Sequence, residues 1–223
     1  MATYMSPEGA NASAREVPFA EAKKAAASLA ECFSDDEVAR YYLQVSDCAR
    51  PLTAREAKLN LRIYECLTIA HCCSGLVISA GPCHDCVSLW LPPNSADWTW
   101  TTYWKSGLWL LWLRLGREGR TRFFGSWSTL EEGVTSIMGD RAAITWTLTD
   151  LGTRKSSRGQ GYATKVMKYG LALADAQGQP TYVECFEYNV SFYENFGFQK
   201  RSTFSLDRAQ APVVLQTMVR EPG

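Results

Sequence analysis

The C-terminal third of the chain alternates between strand-like and helix-like patterns of hydrophobic residues. Apolar residues recur at helical spacing over 164–175, and Gly178-Gln179-Pro180 follows them as a stop signal. A short helix is predicted over 189–198. Apolar runs predict strands over 142–149, 181–186, 200–206 and 213–219. The pattern favours a mixed fold in which strands and helices alternate.

The N-terminal two thirds are richer in helix and contain one predicted hairpin. Val17-Pro18-Phe19 belongs to a first strand or its exit, and Thr53 and Glu56 are spaced as a capping box. Helical patterns cover 21–33, 35–42, 53–67, 97–120 and 130–138. The hairpin is predicted as a strand over 71–80, a turn over 81–85 and a strand over 86–91. No long linker is visible, so we predict one domain over 15–223 after a disordered leader over 1–14.

A glycine-containing turn, Arg158-Gly159-Gln160-Gly161-Tyr162-Ala163, opens the predicted helix over 164–175. Glycines let backbone N–H groups crowd around a ligand without a Cβ clash. The helix N-terminus adds unpaired N–H donors and partial positive charge, and Arg158 adds a forked cation. The turn therefore suits a phosphate or pyrophosphate, with an ordinary helix start as the alternative. It matches neither a Walker loop nor a dinucleotide fingerprint.

Two motifs in this order resemble the signatures of the GCN5-related N-acetyltransferase (GNAT) superfamily. The acetyl-CoA motif Gln/Arg-x-x-Gly-x-Gly/Ala is filled by Arg158, Gly161 and Ala163. The later signature, a short helix ending Tyr-x-x-x-Gly-Phe, is filled by Tyr193, Gly197 and Phe198. The resemblance covers 142–198 and implies an α/β (α+β) fold with a central mixed, mostly antiparallel, splayed β-sheet flanked by helices. It also implies an acyltransferase with acetyl-CoA as co-substrate, and it allows a homodimer.

A narrower resemblance covers 19–219. The segment Val87-Ser88-Leu89-Trp90-Leu91-Pro92-Pro93, the aromatic middle of the chain and the Asn189-x-x-x-Tyr193 spacing are similar to puromycin N-acetyltransferase-like fungal members. This similarity implies the fold and the acetyl donor more firmly than the acceptor. The leading hypothesis is acetyl transfer to the amine of a small molecule, such as an antibiotic or a toxic metabolite, by direct attack in a ternary complex.

The superfamily resemblance also implies where the donor binds. The pantetheine arm would lie beside the fourth strand, which splays from the fifth and here ends near 150–153. Backbone groups of Leu151 and Thr153 would pair with the arm and polarise the thioester. Asn189 matches a residue that hydrogen-bonds the arm, with capping of its own helix as the alternative. The predicted donor-binding residues are Leu151, Gly152, Thr153, Arg158, Gly159, Gln160, Gly161, Tyr162, Ala163 and Asn189.

Two residues are candidates for proton transfer. Tyr193 matches the family tyrosine that protonates the departing sulfur, and a packing role is the alternative. Glu184 lies in the predicted fifth strand beside the splay, where burial would raise its pKa and suit it to accept a proton from an ammonium group. A structural ion pair is the alternative for Glu184. Cys185 points to the opposite face of a regular strand, so a covalent acetyl-cysteine route is less favoured.

The aromatic segment around 97–120 does not place its rings on one narrow helix face. Burial on several sides is the default interpretation. The functional alternative is a wall of the acceptor pocket, with Trp98, Trp104 and Trp109 as candidate substrate-binding residues. A contact with a membrane surface is the weakest alternative. Asp35, Asp36 and Asp97 could attract a cationic acceptor, although ordinary solvation is the default for each.

Charge and composition exclude several classes of protein. The chain of 223 residues has 23 basic and 23 acidic residues, with no basic block, so we expect no nucleic-acid partner. The longest apolar run, 107–113, is far shorter than the roughly 20 residues of a membrane span. The polar N-terminus does not resemble a signal peptide. We therefore expect a cytoplasmic protein with no membrane partner.

Eight cysteines without a secretion signal favour free thiols. Cys83-His84-Asp85-Cys86 has the spacing of a metal or redox pair but lacks a second Cys-x-x-Cys half, so we expect an incidental turn and no metal. Three alternatives to the leading hypothesis remain open at this point. They are peptide or protein N-acetylation, a CoA-binding module without catalysis, and a metal or redox protein built on the cysteines.

Overall fold

The computed structural model describes residues 14–47, 49–95, 98–207 and 212–223. The strands are β1 (Ala14–Glu16), β2 (Leu76–Ala80), β3 (Cys86–Leu91), β4 (Trp146–Thr153), β5 (Thr181–Cys185), β6 (Gln199–Leu206) and β7 (Val213–Arg220). The helices are α1 (Ala22–Cys32), α2 (Glu37–Leu43), α3 (Ala54–Ser74), α4 (Trp100–Ser106), α5 (Leu108–Arg114), α6 (Arg117–Met138), α7 (Tyr162–Ala176) and α8 (Val190–Glu194). The leader predicted over 1–14 falls outside the described residues except for Ala14, which begins β1.

The seven strands of the described residues form one sheet in the order β1-β2-β3-β4-β5-β7-β6. Every pairing is antiparallel except that of β4 with β5, which is parallel. A parallel pair needs a crossover connection, and α7 supplies it. The predicted fold class, a mixed and mostly antiparallel sheet flanked by helices, is confirmed.

Helices cover both faces of the sheet, and each face has its own core. On one face, α1, α3 and α5 pack against Val77, Val87 and Leu89. On the other, α7 and α8 pack against a cluster that includes Trp90 and Trp146. Side chains of a strand alternate between faces, which explains why Leu89 and Trp90 enter different cores. Within the described residues, no helix has the length and apolar composition needed to cross a bilayer.

Several predicted boundaries are wrong, and the reasons differ. The strand predicted over 71–80 begins only at Leu76, because α3 continues to Ser74 from its confirmed Thr53–Glu56 capping box. The helix predicted over 97–120 is divided at Gly107, which has a φ of 74°, and again at Gly116. The helix predicted over 130–138 is only the end of α6. The strand predicted over 142–149 runs instead from Trp146 to Thr153.

Gly170 lets α7 approach β3 closely. A Cβ atom at this position would lie 2.4 Å from Cζ2 of the buried Trp90. We expect Gly170→Ala to lower the free energy of unfolding by about 1–3 kcal/mol, because overpacked cores must shift their side chains or backbone. Gly125→Ala in α6 is the matched control, since a Cβ there meets nothing within 4 Å and a helix gains up to about 1 kcal/mol from alanine. Urea unfolding of both variants tests this, and equal stability of the two would contradict it.

Candidate active site

The parallel strands β4 and β5 separate part of the way along the sheet. Their pairing covers Trp146 to Leu148 on β4, and β4 then continues to Thr153 beside β3 alone. A bulge leaves Thr149 as an extra residue opposite β3, between the pairs Leu89–Asp150 and Trp90–Leu148. The edge of β4 that faces β5 is therefore open from Thr149 onward, as the splayed sheet of the sequence analysis requires.

A buried histidine supports the bulge. The Nδ1 atom of His71 lies 2.8 Å from the carbonyl oxygen of Leu67, and its Nε2 lies 3.1 Å from Oγ1 of Thr149. A carbonyl only accepts, so Nδ1 carries the proton and Nε2 accepts from the Thr149 hydroxyl. Burial lowers the pKa of His71 to about 4, which keeps this arrangement neutral at physiological pH. His71 is thus a structural residue that ties α3 to the splay.

A cleft of about 900 Å³ lies between the end of β4, the N-terminus of α7 and α8. Gly159 and Gly161 have φ values of 76° and 75°, a left-handed conformation that glycine adopts without strain. Gly161 is the N-cap of α7, and a Cβ at either glycine would meet nothing within 4 Å. The turn therefore presents an open concave backbone at a helix N-terminus, which suits a phosphate group.

The cleft brings together nearly all of the predicted donor-binding residues. Its wall contains Leu151, Gly152, Thr153, Arg158, Gly159, Gly161, Tyr162, Ala163 and Asn189. Gln160, the remaining predicted residue, is exposed and does not line the cleft. Capping of α8, the alternative role for Asn189, is not supported, because the Asn189 side chain makes no capping hydrogen bond to that helix. Arg158 is exposed, with Nε 3.4 Å from the carbonyl oxygen of Thr153.

A second cavity of about 160 Å³ lies deeper in the splay and adjoins the cleft. Its volume is close to the ~150 Å³ that holds one benzene ring in an engineered core. The aromatic rings in its wall are those of Phe33, Tyr42, Tyr64, Trp127, Phe186, Tyr193 and Phe204. Carboxyl groups in its wall are Asp36, Asp150 and Glu184. The two cavities share Phe33, Asp36, Leu151, Asn189 and Tyr193, so their contents would meet there.

Tyr193 stands at this shared wall. It is buried on α8 and packs edge-on against Phe192 and Phe198. Burial raises the pKa of its phenol well above the ordinary value, so the hydroxyl stays protonated at neutral pH. Among the described residues, this hydroxyl has no hydrogen-bond partner. It is therefore available to donate to a group at the junction of the cavities.

Glu184 lies on β5, directly beyond the last pairing with β4. Burial raises its pKa to about 7, and the hydrogen bond from Oη of Tyr182 to Oε1, at 2.8 Å, opposes that shift. Its predicted alternative, a structural ion pair, is not formed with any described residue. Helix α6 passes close by, because a Cβ on Gly133 would lie 2.9 Å from Tyr182 Oη. Glu184 is thus a carboxyl group that exchanges its proton near neutral pH.

Two further carboxyl groups join Glu184 in the smaller cavity. Asp150 follows the bulge on β4, and burial raises its pKa to about 7. Asp36 caps α2 through backbone N–H groups of Val38 and Ala39, and burial nevertheless raises its pKa to about 6. The default interpretation of Asp36, as an ordinary solvated carboxylate on the surface, is therefore wrong. Sequence reasoning missed Asp150 as a site residue, although a charged residue following an apolar strand run was a usable signal.

We expect Asp150→Asn to stabilise the protein increasingly as pH rises. A carboxyl whose pKa is raised by folding contributes stability below its unfolded pKa and loses it as pH rises through about 7. Asparagine carries no charge at either pH. The free energy of unfolding of the variant, relative to that of the wild type, should therefore increase by on the order of 2 kcal/mol between about pH 5 and 8. Thermal unfolding at both pH values measures it. Asp140→Asn on the exposed surface should show no such growth, and a gain for Asp150→Asn that is independent of pH would count against this account.

The predicted substrate-binding tryptophans lie outside both cavities. Trp98 packs against Trp127 with ring centroids 4.5 Å apart, and only Trp127 reaches the smaller cavity. Trp104 is 52% exposed and contacts Trp109 on α5. The aromatic wall comes instead from α2, α3, α6, α8 and β6 and from the segments that follow α1 and β5. Asp97 lies outside the described residues.

The turn that contains Cys83 and Cys86 is held in place by hydrogen bonds of the polar residues between them. The Nδ1 atom of His84 lies 3.0 Å from Ser79 Oγ, and the buried Ser157 hydroxyl donates to Asp85. Cys83 is exposed and Cys86 is buried. In the described part of the chain, no group of three His, Cys, Asp or Glu side chains is placed to hold a metal ion.

Comparison with known proteins adds to this geometry. Residues 84–198 match the model of the acetyltransferase (GNAT) family. An uncharacterised N-acetyltransferase of Schizosaccharomyces pombe is 32% identical over 211 residues, which are 94% of this chain and 83% of the relative. Both matches include the cleft-forming turn and the Tyr193 helix.

Solved structures share the fold at lower identity. Arylalkylamine N-acetyltransferase 2 from Aedes aegypti has a TM-score of 0.62 and 16% identity, covering 94% of this chain and 98% of its own. A Drosophila melanogaster polyamine N-acetyltransferase that forms N-acetylagmatine has a TM-score of 0.59 and 14% identity, covering 93% and 98%. Identities this low show only the fold. With the family match and the Schizosaccharomyces relative, the conclusion is that this chain is an N-acetyltransferase of the GNAT family.

Proposed function

We propose that this enzyme transfers the acetyl group of acetyl-CoA to the amine of a small cationic molecule. The observation that carries the proposal is the junction of two cavities at Tyr193, one with a phosphate cradle and one with three carboxyl groups. A donor in the first cavity and an amine in the second would meet at that junction. Bringing two reactants together in this way is a large part of the catalysis of a bimolecular reaction.

The cleft fits acetyl-CoA, which supplies an activated acetyl thioester. Two left-handed glycines and the start of α7 offer backbone N–H groups to its pyrophosphate, and Arg158 adds charge. The open edge of β4 offers backbone groups of Leu151 and Thr153 to an extended amide-rich arm. The cleft volume of about 900 Å³ leaves room for a long ligand.

The smaller cavity favours a small cation with an apolar body. Asp36, Asp150 and Glu184 would attract an ammonium group, and the rings of Tyr42 and Trp127 would pack against its apolar part. Two structural neighbours are named for arylalkylamines and for a polyamine, which are amines of this kind. A volume of about 160 Å³ fits one small acceptor, and peptide acetylation, which would place only a lysine side chain or an N-terminus in the cavity, is the alternative.

Different residues at the junction carry out the separate proton transfers of the reaction. Glu184, with a pKa of about 7, accepts the proton of the ammonium group and leaves a neutral amine. A backbone N–H on the open edge of β4 polarises the thioester oxygen. Tyr193 donates its proton to the departing sulfur, and its phenolate then takes the second proton, which the attacking nitrogen loses as it becomes an amide. Direct attack is favoured over an acetyl-cysteine route, because burial raises the pKa of Cys185 to about 12 and leaves little thiolate.

We include detoxification in the proposal as a physiological role. Acetylation removes the positive charge of an amine, which would weaken an antibiotic or toxic metabolite that depends on that charge. The similarity to puromycin N-acetyltransferase-like members makes aminonucleosides one acceptor class to test. A cytoplasmic location is supported by the seven described cysteines, which are all free, as expected in a reducing compartment.

Titration calorimetry with acetyl-CoA, followed by a CoA-release assay, tests the proposal. The acceptor panel contains an arylalkylamine, agmatine, a polyamine, puromycin and a lysine-containing peptide. We expect acetyl-CoA to bind and CoA to be released with a small amine. Release with the peptide alone would favour protein acetylation, and binding without any release would favour a CoA-binding module. No binding would contradict the assignment of the cleft.

We expect Arg158→Ala to raise the Kd for acetyl-CoA about 10–100-fold. A hydrogen bond to a charged partner is worth about 1.5–3 kcal/mol, and 1.4 kcal/mol corresponds to a factor of ten. Arg201→Ala is the matched control, because Arg201 is an exposed arginine on β6 outside the cleft. Calorimetry of both variants measures the difference. An unchanged Kd for Arg158→Ala would remove Arg158 from the phosphate site.

A further inference from the structure

The short helices α4 and α5 have two apolar faces. Their inner face carries Leu108 and Leu111, which are fully buried in the core. Their outer face carries Trp100, Trp104, Trp112 and Leu113, which are 74%, 52%, 44% and 59% exposed. A surface helix normally turns polar residues outward. The core of this domain therefore does not account for the outer aromatic residues.

The exposed apolar side chains and the half-buried Trp109 form a patch, which we call the tryptophan face: Trp100, Trp104, Trp109, Trp112 and Leu113. The ring centroids of Trp100 and Trp104 lie 6.4 Å apart, and those of Trp104 and Trp109 lie 4.5 Å apart. Trp112 and Leu113 follow Trp109 by three and four residues on α5, so they lie on the same side of that helix. Contiguous exposed apolar surface of this kind marks an interaction site.

Basic side chains border the tryptophan face. Residues 98–120 contain Lys105, Arg114, Arg117 and Arg120 and a single acid, Glu118. Among the described residues, Lys105, Arg114 and Arg117 form no ion pair, whereas Glu118 is already paired with Arg122. The guanidinium of Arg120 lies 4.0 Å above the Trp112 ring. The face is therefore aromatic at its centre and cationic at its border.

This combination selects among the partners that could cover the face. Tryptophan is enriched at the interface of a bilayer, and basic residues beside it are attracted to anionic headgroups. A second copy of the chain, docked symmetrically through the same face, would bring the unpaired cations of both copies together. The thirteen residues before β1 contain one charged side chain, Glu8, and cannot balance them. An anionic lipid surface is complementary both to the aromatic centre of the tryptophan face and to its cationic border.

We propose that the tryptophan face binds the surface of a membrane that contains anionic lipids. The enzyme lies on the bilayer through α4 and α5 and inserts the rings of Trp100, Trp104 and Trp112 between headgroups. This differs from our sequence-based expectation of no membrane partner. It is independent of the acetyl-transfer proposal, since none of these residues lines either cavity. Trp98 and Trp127 connect the start of this region to the wall of the smaller cavity.

Vesicle flotation of the full-length protein tests this inference. We expect binding to vesicles of phosphatidylcholine with phosphatidylserine, weaker binding to phosphatidylcholine alone, and a loss of binding as salt concentration rises. The double variant Trp100→Ala/Leu113→Ala should weaken the partition coefficient at least about 10-fold. Lys105→Glu should weaken it about 5-fold or more, because each basic residue near an anionic surface is worth about 1 kcal/mol.

Control variants and alternative partners of the tryptophan face complete the design of the flotation experiment. Phe19→Ala removes an exposed aromatic ring elsewhere and should leave flotation unchanged. Every variant should keep its affinity for acetyl-CoA, which shows that the fold is intact. Absence of flotation, or flotation that the double variant does not weaken, would overturn the inference. A dimer, or a complex with single-stranded RNA, would also overturn the inference if the double variant abolished that assembly and the wild type failed to bind vesicles.

Discussion

Tyr193→Phe is expected to lower kcat about 10²–10⁴-fold while leaving the Kd for acetyl-CoA nearly unchanged. The variant keeps the ring that packs against Phe192 and Phe198 and removes only the hydroxyl. That hydroxyl is buried, remains protonated at neutral pH and lies where the two cavities meet. A positioned general acid typically contributes a factor of this size. Steady-state CoA release and calorimetry measure the two quantities.

Tyr188→Phe is the matched control for this result. Tyr188 lines the same cleft but is 70% exposed and stacks on Phe186. Loss of its hydroxyl should change kcat less than about 2-fold, within the ±0.5 kcal/mol that is usual for surface substitutions. If Tyr193→Phe were as active as Tyr188→Phe, Tyr193 would have only a packing role.

Glu184→Gln is expected to lower kcat/KM about 10²–10⁴-fold at pH 8 with a cationic acceptor. The carboxylate is the form that accepts a proton, so kcat/KM of the wild type should rise with pH through about 7 and then level off. Glutamine cannot accept the proton, and this rise should disappear in the variant. A pH profile of kcat/KM for both proteins provides the test. Because Asp150 and Asp36 lie in the same cavity, the apparent pKa belongs to the group of carboxyls.

Two comparisons separate catalysis from binding. An aromatic amine that is neutral at pH 7 needs no base before its attack, so Glu184→Gln should retain most of its activity toward such an acceptor. Glu187→Gln is the surface control, since Glu187 is exposed and paired with Lys200. If Asp150→Asn removed the pH-dependent rise and Glu184→Gln preserved it, the base would be Asp150.

The lining of the cleft that we propose for the donor could be predicted from sequence, because most of its residues are close in the chain. The turn 158–163 needs glycines at two left-handed positions and a helix directly after them, and both requirements are local. The Tyr193 helix likewise follows β5 after a short connection. Local backbone geometry depends on neighbouring residues, so a single sequence can reveal it. Gln160 is the exception, because which way a turn residue faces depends on the folded cleft.

The smaller cavity, which we propose for the acceptor, could not be predicted in the same way. Its aromatic rings come from α2, α3, α6, α8 and β6 and from the segments that follow α1 and β5, and its carboxyls are those of Asp36, Asp150 and Glu184. These residues are far apart in the chain and meet only after the sheet has formed. The dense tryptophans of 98–112 drew the prediction toward a segment that lines neither cavity, because aromatic content does not reveal which side of a helix faces a cavity.

The amino-acid sequence by itself determined the family, the class of the sheet, the glycine turn that we propose holds the donor, and the identity of Tyr193 and Glu184 as candidates. Each depends on residue type and spacing over a few turns or strands. Tertiary structure alone decided that α3 and the bulge at Thr149 open the sheet, that three carboxyls share one cavity, and that α4 and α5 expose a tryptophan face. These features depend on which surfaces pack together and which remain uncovered, and burial of that kind belongs to the whole fold.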